Sequence, residues 1–402
     1  MLSTRNRRPH GARIAADSHL SAITYPPPIS SPAASWTFLA ANLDALEIGL
    51  HVSWQDGVWP LLSSQLEALN RTSPYKPCPG LAPYNIDGNL YPRSCRKGFQ
   101  FALELPAGKL HIKRTTASSL TSPNVLLCCP SRALWSIGFP SCLQKAHQAL
   151  TALGGRVDQA KPSRVDLAAD FHIAGGLSRE FLETHAVSLS RQRSSEGTVN
   201  RFETFYAGRG ESILLRVYDK GRELAKNPDN LDRFVHAWGR TSAKDVWRVE
   251  FQLRRESLRA CGIDTVADLT PRLPELWTYL TTEWFSLRNP DNRNTTRRTL
   301  HPWWTAVQNV ASAWGVPGTL SRRTTSTTLD TTQLLNQIAG CLVGVAARRD
   351  LPTLDQAIEW LSSRLPGTTI GQEFSQRVRE KRIGLGIADP AAEEQAPQEV
   401  RT

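Results

Sequence analysis

Three segments of the chain combine acids, bases and a phenol at every second position. Arg164, Asp166, Ala168 and Asp170 share one face if their segment is a strand, as do Arg216, Tyr218 and Lys220, and Arg248, Glu250, Gln252 and Arg254, because strand side chains alternate between the two faces. Trp247, Val249, Phe251 and Leu253 take the opposite, apolar face of the third segment. If the polar faces line one sheet surface, they gather carboxylates, cations and one tyrosine in one place. Carboxylate oxygens of this kind suit Mg²⁺ or Mn²⁺. Asp166 and Glu250 are the best candidate metal ligands, with Asp170 a third, roughly 13 Å along the strand from Asp166 at the usual rise. The phenol is a candidate nucleophile toward phosphorus: its ordinary pKa of about 10 would be lowered by Arg216 and Lys220 nearby. A metal on a non-bridging oxygen would stabilise charge developing at the phosphate. The bland alternative is a set of solvated polar faces on half-exposed strands, which show the same alternation.

These residues lie in blocks that resemble a family. Arg164-Val165-Asp166-Leu167-Ala168-Ala169-Asp170-Phe171 looks like the R-x-D-x-A-x-D segment of Rep_trans-type rolling-circle replication initiators. Phe205 to Ser212, followed by Leu215-Arg216-Val217-Tyr218-Asp219-Lys220, is similar to their Y-x-G…S…R-x-Y-(D/N/E)-K block. Trp247-Arg248-Val249-Glu250 resembles their W-x-R-x-E strand without the intervening residue. The three blocks together cover 164–255.

The resemblance implies a nickase that cuts one strand at an origin and later rejoins it, as plasmid and phage initiators and the related relaxases of conjugative elements do. The tyrosine of the R-x-Y block, here Tyr218, would attack the phosphodiester and stay joined to the 5′ phosphate, leaving a 3′ hydroxyl to prime synthesis. Such a link keeps the energy of the broken bond, so resealing needs no ATP, in keeping with the lack of a G-x-x-x-x-G-K-[ST] loop in the sequence. Arg216 and Lys220 would serve the reaction, and Arg248, Arg254, Arg209 and Arg164 would hold DNA. Tyr206 reads as a structural hairpin aromatic. The implied partners are origin DNA, single-stranded or extruded as a hairpin, a host helicase and DNA polymerase, and a second copy in a homodimer.

The elements that must position these groups are legible around them. Leu46, Ile48, Leu50, Val52 and Trp54 alternate as a strand, with Leu61, Leu62, Leu66 and Leu69 following at helical spacing. Phe99 to Leu105 and Leu110 to Ile112 read as a hairpin, Val125 to Cys129 and Leu134 to Phe139 as strands, and Cys142 to Leu153 as a helix. From Arg164 the order recurs: a strand, a helix near Ser178, a hairpin about Gly208-Arg209-Gly210, and the strand Trp247 to Leu253. The recurrence predicts an internally duplicated α+β fold followed by a small α-helical C-terminal domain, and the resemblance implies that the duplicated part is an HUH-like antiparallel sheet with packed helices. The expected organisation is a disordered basic arm over 1–40, a catalytic domain over 41–290, a helical DNA- or partner-binding domain over 291–385, and a disordered tail over 386–402. Thr353 with Gln356, and Asp330, read as helix caps in the third part.

Composition narrows the classes. With 402 residues, 40% hydrophobic and 21% charged, the chain has a globular balance and length for a sizeable core. Lys and Arg total 48 against 37 Asp and Glu, a net charge of +11 that favours a polyanionic partner. No apolar run suffices for a membrane span and no secretion signal is visible, so the expected compartment is the cytoplasm. Seven cysteines without a C-x-x-C fit neither a zinc knuckle nor a disulfide framework. The histidines near candidate strands, His51, His111 and His172, are solitary, unlike the His-apolar-His pair of the better-known HUH nickases. His236 and Arg240 miss the spacing of tyrosine recombinases. Rival readings stay open: a relaxase for conjugative transfer of a mobile element, a non-catalytic origin-binding protein, and a metal-dependent nuclease with water as the attacking group.

Overall fold

The computed structural model describes residues 35–72, 78–79, 89–90, 95–114, 122–198, 201–315 and 331–384. The chain divides into two units, Met1–Arg323 and Thr324–Thr402. The boundary expected at 291 therefore falls inside the first unit.

The first unit is mixed α and β. In chain order its elements are β1 (Trp36–Trp54), α1 (Val58–Thr72), β2 (Cys78–Pro79), β3 (Asn89–Leu90), β4 (Phe101–Leu105), β5 (Gly108–Ile112), β6 (Val125–Cys129), α2 (Ser131–Ala152), β7 (Gly155–Ile173), α3 (Arg179–His185) and β8 (Ala186–Ser188). Then come β9 (Arg193–Thr198), β10 (Arg201–Ala207), β11 (Ile213–Asp219), α4 (Lys220–Lys226), α5 (Leu231–Ala237), β12 (Val246–Arg254), α6 (Arg255–Ala260), α7 (Val266–Tyr279), β13 (Phe285–Leu287), α8 (Pro302–Asn309) and α9 (Ala311–Trp314).

One antiparallel sheet runs in the order β2-β3-β4-β5-β6-β1-β7-β12-β11-β10-β9. The order reads alike from both sides of its centre. In each half a long strand is followed by a helix, then by a hairpin, then by the strand that pairs next to the long one. The two long strands, β1 and β7, pair along their whole length from Trp36 opposite Ile173 to Trp54 opposite Gly155. A Pro inside a central strand removes a ladder bond, and Pro162 is accommodated here because Ser163 forms a bulge beside it.

The apolar face carries the core. Leu46, Ile48 and Leu50 of β1, Val165 and Leu167 of β7, and Val249, Phe251 and Leu253 of β12 are all fully buried. They pack with Leu269, Leu276 and Trp277 of α7 and with Trp303 and Trp304 of α8 in one cluster. Burying such side chains stabilises by about 1.5–3 kcal/mol each. A smaller cluster of Leu224, Phe234, Trp238 and Val246, with Trp135 against it, accompanies α4 and α5.

Several expectations change. The first strand starts at Trp36, so 36–40 belong to the sheet rather than to an arm. Leu134 to Phe139 is helical, not a strand: the helix begins after Pro130 and bends at Gly138, where φ is +75°. Asn289 to Thr299, at the expected boundary between the second and third parts, is a closed loop whose ends bond through Asn289 N to Thr299 O and Asn289 Nδ2 to Thr299 Oγ1. Trp303 and Trp304 pack inside the first unit.

The second unit holds α10 (Thr331–Arg349), α11 (Leu354–Arg364), α12 (Thr369–Gln372) and α13 (Phe374–Gly384). Thr353 caps α11 by accepting from Gln356 N, as its spacing predicts; Asp330 lies outside the described residues. Among the described residues no helix is long and apolar enough to cross a membrane.

Candidate active site

β7, β12 and β11 are neighbours, in a register that brings their polar faces together. Arg248 lies opposite Asp170, Gln252 opposite Asp166, Arg216 opposite Glu250 and Tyr218 opposite Arg248. The side-chain period of two then places all of these groups on one surface. That surface is the floor of a cavity of about 420 Å³. Tyr218, Arg216, Glu250, Tyr206, Thr204 and Asp44 line it from the sheet, Lys220, Glu223 and Phe234 from α4 and α5, Asn230 from the turn between them, and Ser131 and Arg132 from the start of α2.

Tyr218 is half-buried. Its hydroxyl donates to Glu250 Oε2 at 3.0 Å, while Glu250 Oε1 accepts from Arg216. Glu250 is 1% exposed. Burial, opposed by Arg216 and reinforced by Asp44 and Asp166, pushes its carboxyl up to about 7. The phenol is pushed well above its ordinary value by burial and by the Glu250 carboxylate. This reverses the expectation that Arg216 and Lys220 would lower it. Arg216 is committed to carboxylates, and Lys220 forms an ion pair with Glu223 and stands 4.5 Å above the Phe234 ring and 5.8 Å from that of Tyr218.

Asp166, 1% exposed, accepts from Arg164 Nε at 2.8 Å and Nη2 at 2.5 Å, and from Arg216 Nη2 at 3.4 Å. Burial raises its carboxyl despite both guanidiniums. Arg216 thus joins Asp166 and Glu250 as a shared counter-ion. Its side chain remains 30% exposed and its Nε has no hydrogen-bond partner.

Asp170 and Arg248 form a separate, fully buried group. Arg248 donates to Asp170 through Nε at 2.6 Å and Nη2 at 2.8 Å, and to Asp44 through Nη1 at 2.5 Å. Trp238 Nε1 also donates to Asp170, at 2.9 Å. The Arg248 guanidinium sits 4.9 Å from the Phe234 ring and 5.1 Å from that of Trp135. With 0% exposure and its donors spent on two carboxylates, Arg248 has no surface to offer DNA. The structure does not bring Asp170 to Asp166 either; its oxygens are consumed by Arg248 and Trp238.

Arg254 and Arg209 are exposed, Arg254 at the end of β12 opposite Arg164 and Arg209 on the β10–β11 turn. Arg209 pairs with Glu196 and lies 4.1 Å above the Tyr206 ring.

Do these residues fit Mg²⁺ or Mn²⁺? Among the described residues, no three His, Cys, Asp or Glu side chains gather as a metal-binding group. Between Asp166 and Glu250, where an ion would be held, stands the Arg216 guanidinium. The donor set as arranged does not fit a divalent cation.

Asp44 escaped the sequence reading. It is the extra residue of a bulge in β1, between Leu43 opposite Leu167 and Ala45 opposite Asp166. A bulge re-aims a side chain and breaks the period-two signal that would reveal it. Asp44 is half-buried and is held down at about 2, against the effect of burial, by Arg248, Lys220 and a bond from Ser131.

No family model matches the chain, and no curated protein matches it. Among solved structures, the chain is similar to a rolling circle replication initiator protein from Geobacillus stearothermophilus, with a TM-score of 0.39, 14% identity, and coverage of 68% of this chain and 97% of that one.

Proposed function

We propose that the chain is a site-specific DNA nickase and strand transferase that initiates rolling-circle replication, with Tyr218 as nucleophile. The observation that carries the reading is the bond from the Tyr218 hydroxyl to buried Glu250 at the floor of a cavity edged by cations. The family resemblance of the three sequence blocks points the same way.

In this reading the phenolic oxygen attacks the scissile phosphorus, a phosphotyrosine bond forms, and the 3′ oxygen leaves. A phenol of raised pKa is a poor nucleophile until its proton is taken, and Glu250 Oε2 is the atom already hydrogen-bonded to that proton. The unpaired Nε of Arg216 and the ammonium of Lys220 are donors for the non-bridging oxygens. Reversal of the same step on a new 3′ hydroxyl rejoins the strand. The strand order supports a duplicated HUH-like sheet in which only the second half keeps chemistry. In the first half the strands equivalent to β12 and β11 are β6 and β5, which pair Cys128 with Lys109 and Leu126 with His111. The substrate would be origin DNA presented as a single strand or extruded hairpin.

The test is covalent capture. Purified chain is incubated with supercoiled DNA carrying its origin, with and without Mg²⁺, then denatured and analysed for protein joined to the 5′ end. The expected product is a phosphotyrosine at Tyr218, absent from Tyr218→Phe. Cut DNA free of protein would instead favour hydrolysis by water, and binding without cutting a non-catalytic origin-binding role.

A further inference from the structure

Tyr206 is a second tyrosine on the floor of the same cavity, and the nicking reaction leaves it without a role. It lies opposite Arg216, as Tyr218 lies opposite Thr204, so the two phenols are diagonal neighbours on adjacent strands, about 7–8 Å apart by ordinary sheet geometry. Their hydroxyls are held differently. That of Tyr218 donates to buried Glu250, whereas that of Tyr206 donates to the exposed Glu196 Oε2 at 3.1 Å. Arg209, fixed by its own bond to Glu196 at 2.6 Å, backs the Tyr206 ring at 4.1 Å. Arg209 is not among the residues lining the cavity, whereas Tyr206 is. One side of the ring is thus braced by a guanidinium while the ring itself borders the open space.

We propose that Tyr206 is a stacking platform for an unpaired base of the bound strand, next to the phosphate that Tyr218 attacks. This deepens the nickase reading and rests on it, since that reaction is what brings a strand to Tyr218. Every base has a π-face, so an aromatic ring beside a cationic groove holds single strands with little regard to sequence. The guanidinium behind the ring keeps it oriented through a cation–π contact. The tie to Glu196 directs the hydroxyl away from the reaction. Asn230 and Thr204, on the same cavity wall and floor, offer an amide and a hydroxyl to the edge of a stacked base.

Binding of the full chain carrying Tyr218→Phe is measured by fluorescence anisotropy with two probes, a short oligothymidylate and an abasic backbone of the same length. The parent should prefer the oligothymidylate roughly ten-fold, within the range for one base–aromatic stack. Tyr206→Ala in that background should erase this preference while leaving abasic binding unchanged. Tyr206→Leu, which keeps bulk without a π-face, should behave as Ala, and Tyr206→Trp should retain the preference. A preference that survives both Ala and Leu, or no preference in the parent, overturns the proposal, as does a phosphotyrosine at residue 206 in the covalent-capture assay. Failure of Tyr218 to form an adduct sinks the nickase reading alone, because base-dependent binding is read without cleavage.

Discussion

The Tyr218 hydroxyl and Glu250 Oε2 meet at 3.0 Å across adjacent strands, with the acid buried and the phenol half-buried at a cavity floor. The pair places a phenolic hydroxyl and a carboxylate oxygen that accepts its proton's hydrogen bond side by side. Burial of Glu250 separately makes the folded state hold a proton there, up to about pH 7, that the unfolded chain releases.

That proton gives a pH-dependent stability with a definite sign. The Glu250 carboxyl sits at about 7 in the folded chain against an ordinary 4.5, so its contribution is fully present below about 4.5 and is lost as pH rises through 7. Glu250→Gln cannot ionise. Urea unfolding should show the wild type losing stability relative to this variant between pH 4.5 and 7, by about 3 kcal/mol at most. A difference that stays constant with pH would contradict the assignment.

Arg248 is the fully buried cation of a triad with buried Asp170 and half-buried Asp44. Arg248→Met leaves both carboxylates without their counter-ion, and thermal or urea unfolding should report a loss of about 3–5 kcal/mol. Arg248→Lys should recover little of it, since one ammonium lacks the fork that serves both acids. A near-neutral Met variant would show that the triad is not holding this face together.

Removal of Arg216 should open a cation site. With the guanidinium gone, Asp166 keeps Arg164 but the two acids lose the counter-ion they share, so Arg216→Met should bind Mn²⁺ more tightly than the wild type by isothermal titration calorimetry. Equal affinity in the two proteins would mean that Arg216 does not occupy the position between the acids.

Gly208 turns the chain from β10 toward β11 with φ of +80°, and a Cβ there would lie 2.2 Å from Ile213 O. Both the left-handed backbone and the collision oppose any larger residue. Gly208→Ala should cost roughly 2 kcal/mol or more, read as a lowered urea midpoint, and should weaken Tyr218 adduct formation by shifting β11. An unchanged midpoint would mean the turn relaxes freely.

Much of the site was legible because strands write their faces into the sequence at a period of two. That alternation correctly grouped Asp166 with Arg164, Glu250 with Arg248, and Tyr218 with Arg216. Alternation does not tell which cation each acid takes, and on this point expectation and structure part. Arg248, read as a DNA contact, is consumed by Asp170 and Asp44, and Asp170, read as a metal ligand, is closed off by Arg248 and Trp238. Asp44 was invisible because its bulge interrupts the period. Leu134 to Phe139 was misread because Trp135, Ile137 and Phe139 alternate with Ser136 and Gly138 over a run too short for periodicity to separate strand from helix.

By itself, then, the sequence determined the strands, their faces and the residues able to do chemistry, because local sterics and hydrophobic periodicity act over a few positions. Only the tertiary structure decided that β11, β12 and β7 lie side by side, that Arg216 stands between two carboxylates, and that the phenol is raised rather than lowered in pKa. Those outcomes depend on pairing register and burial, which join residues as far apart as Asp44 and Arg248.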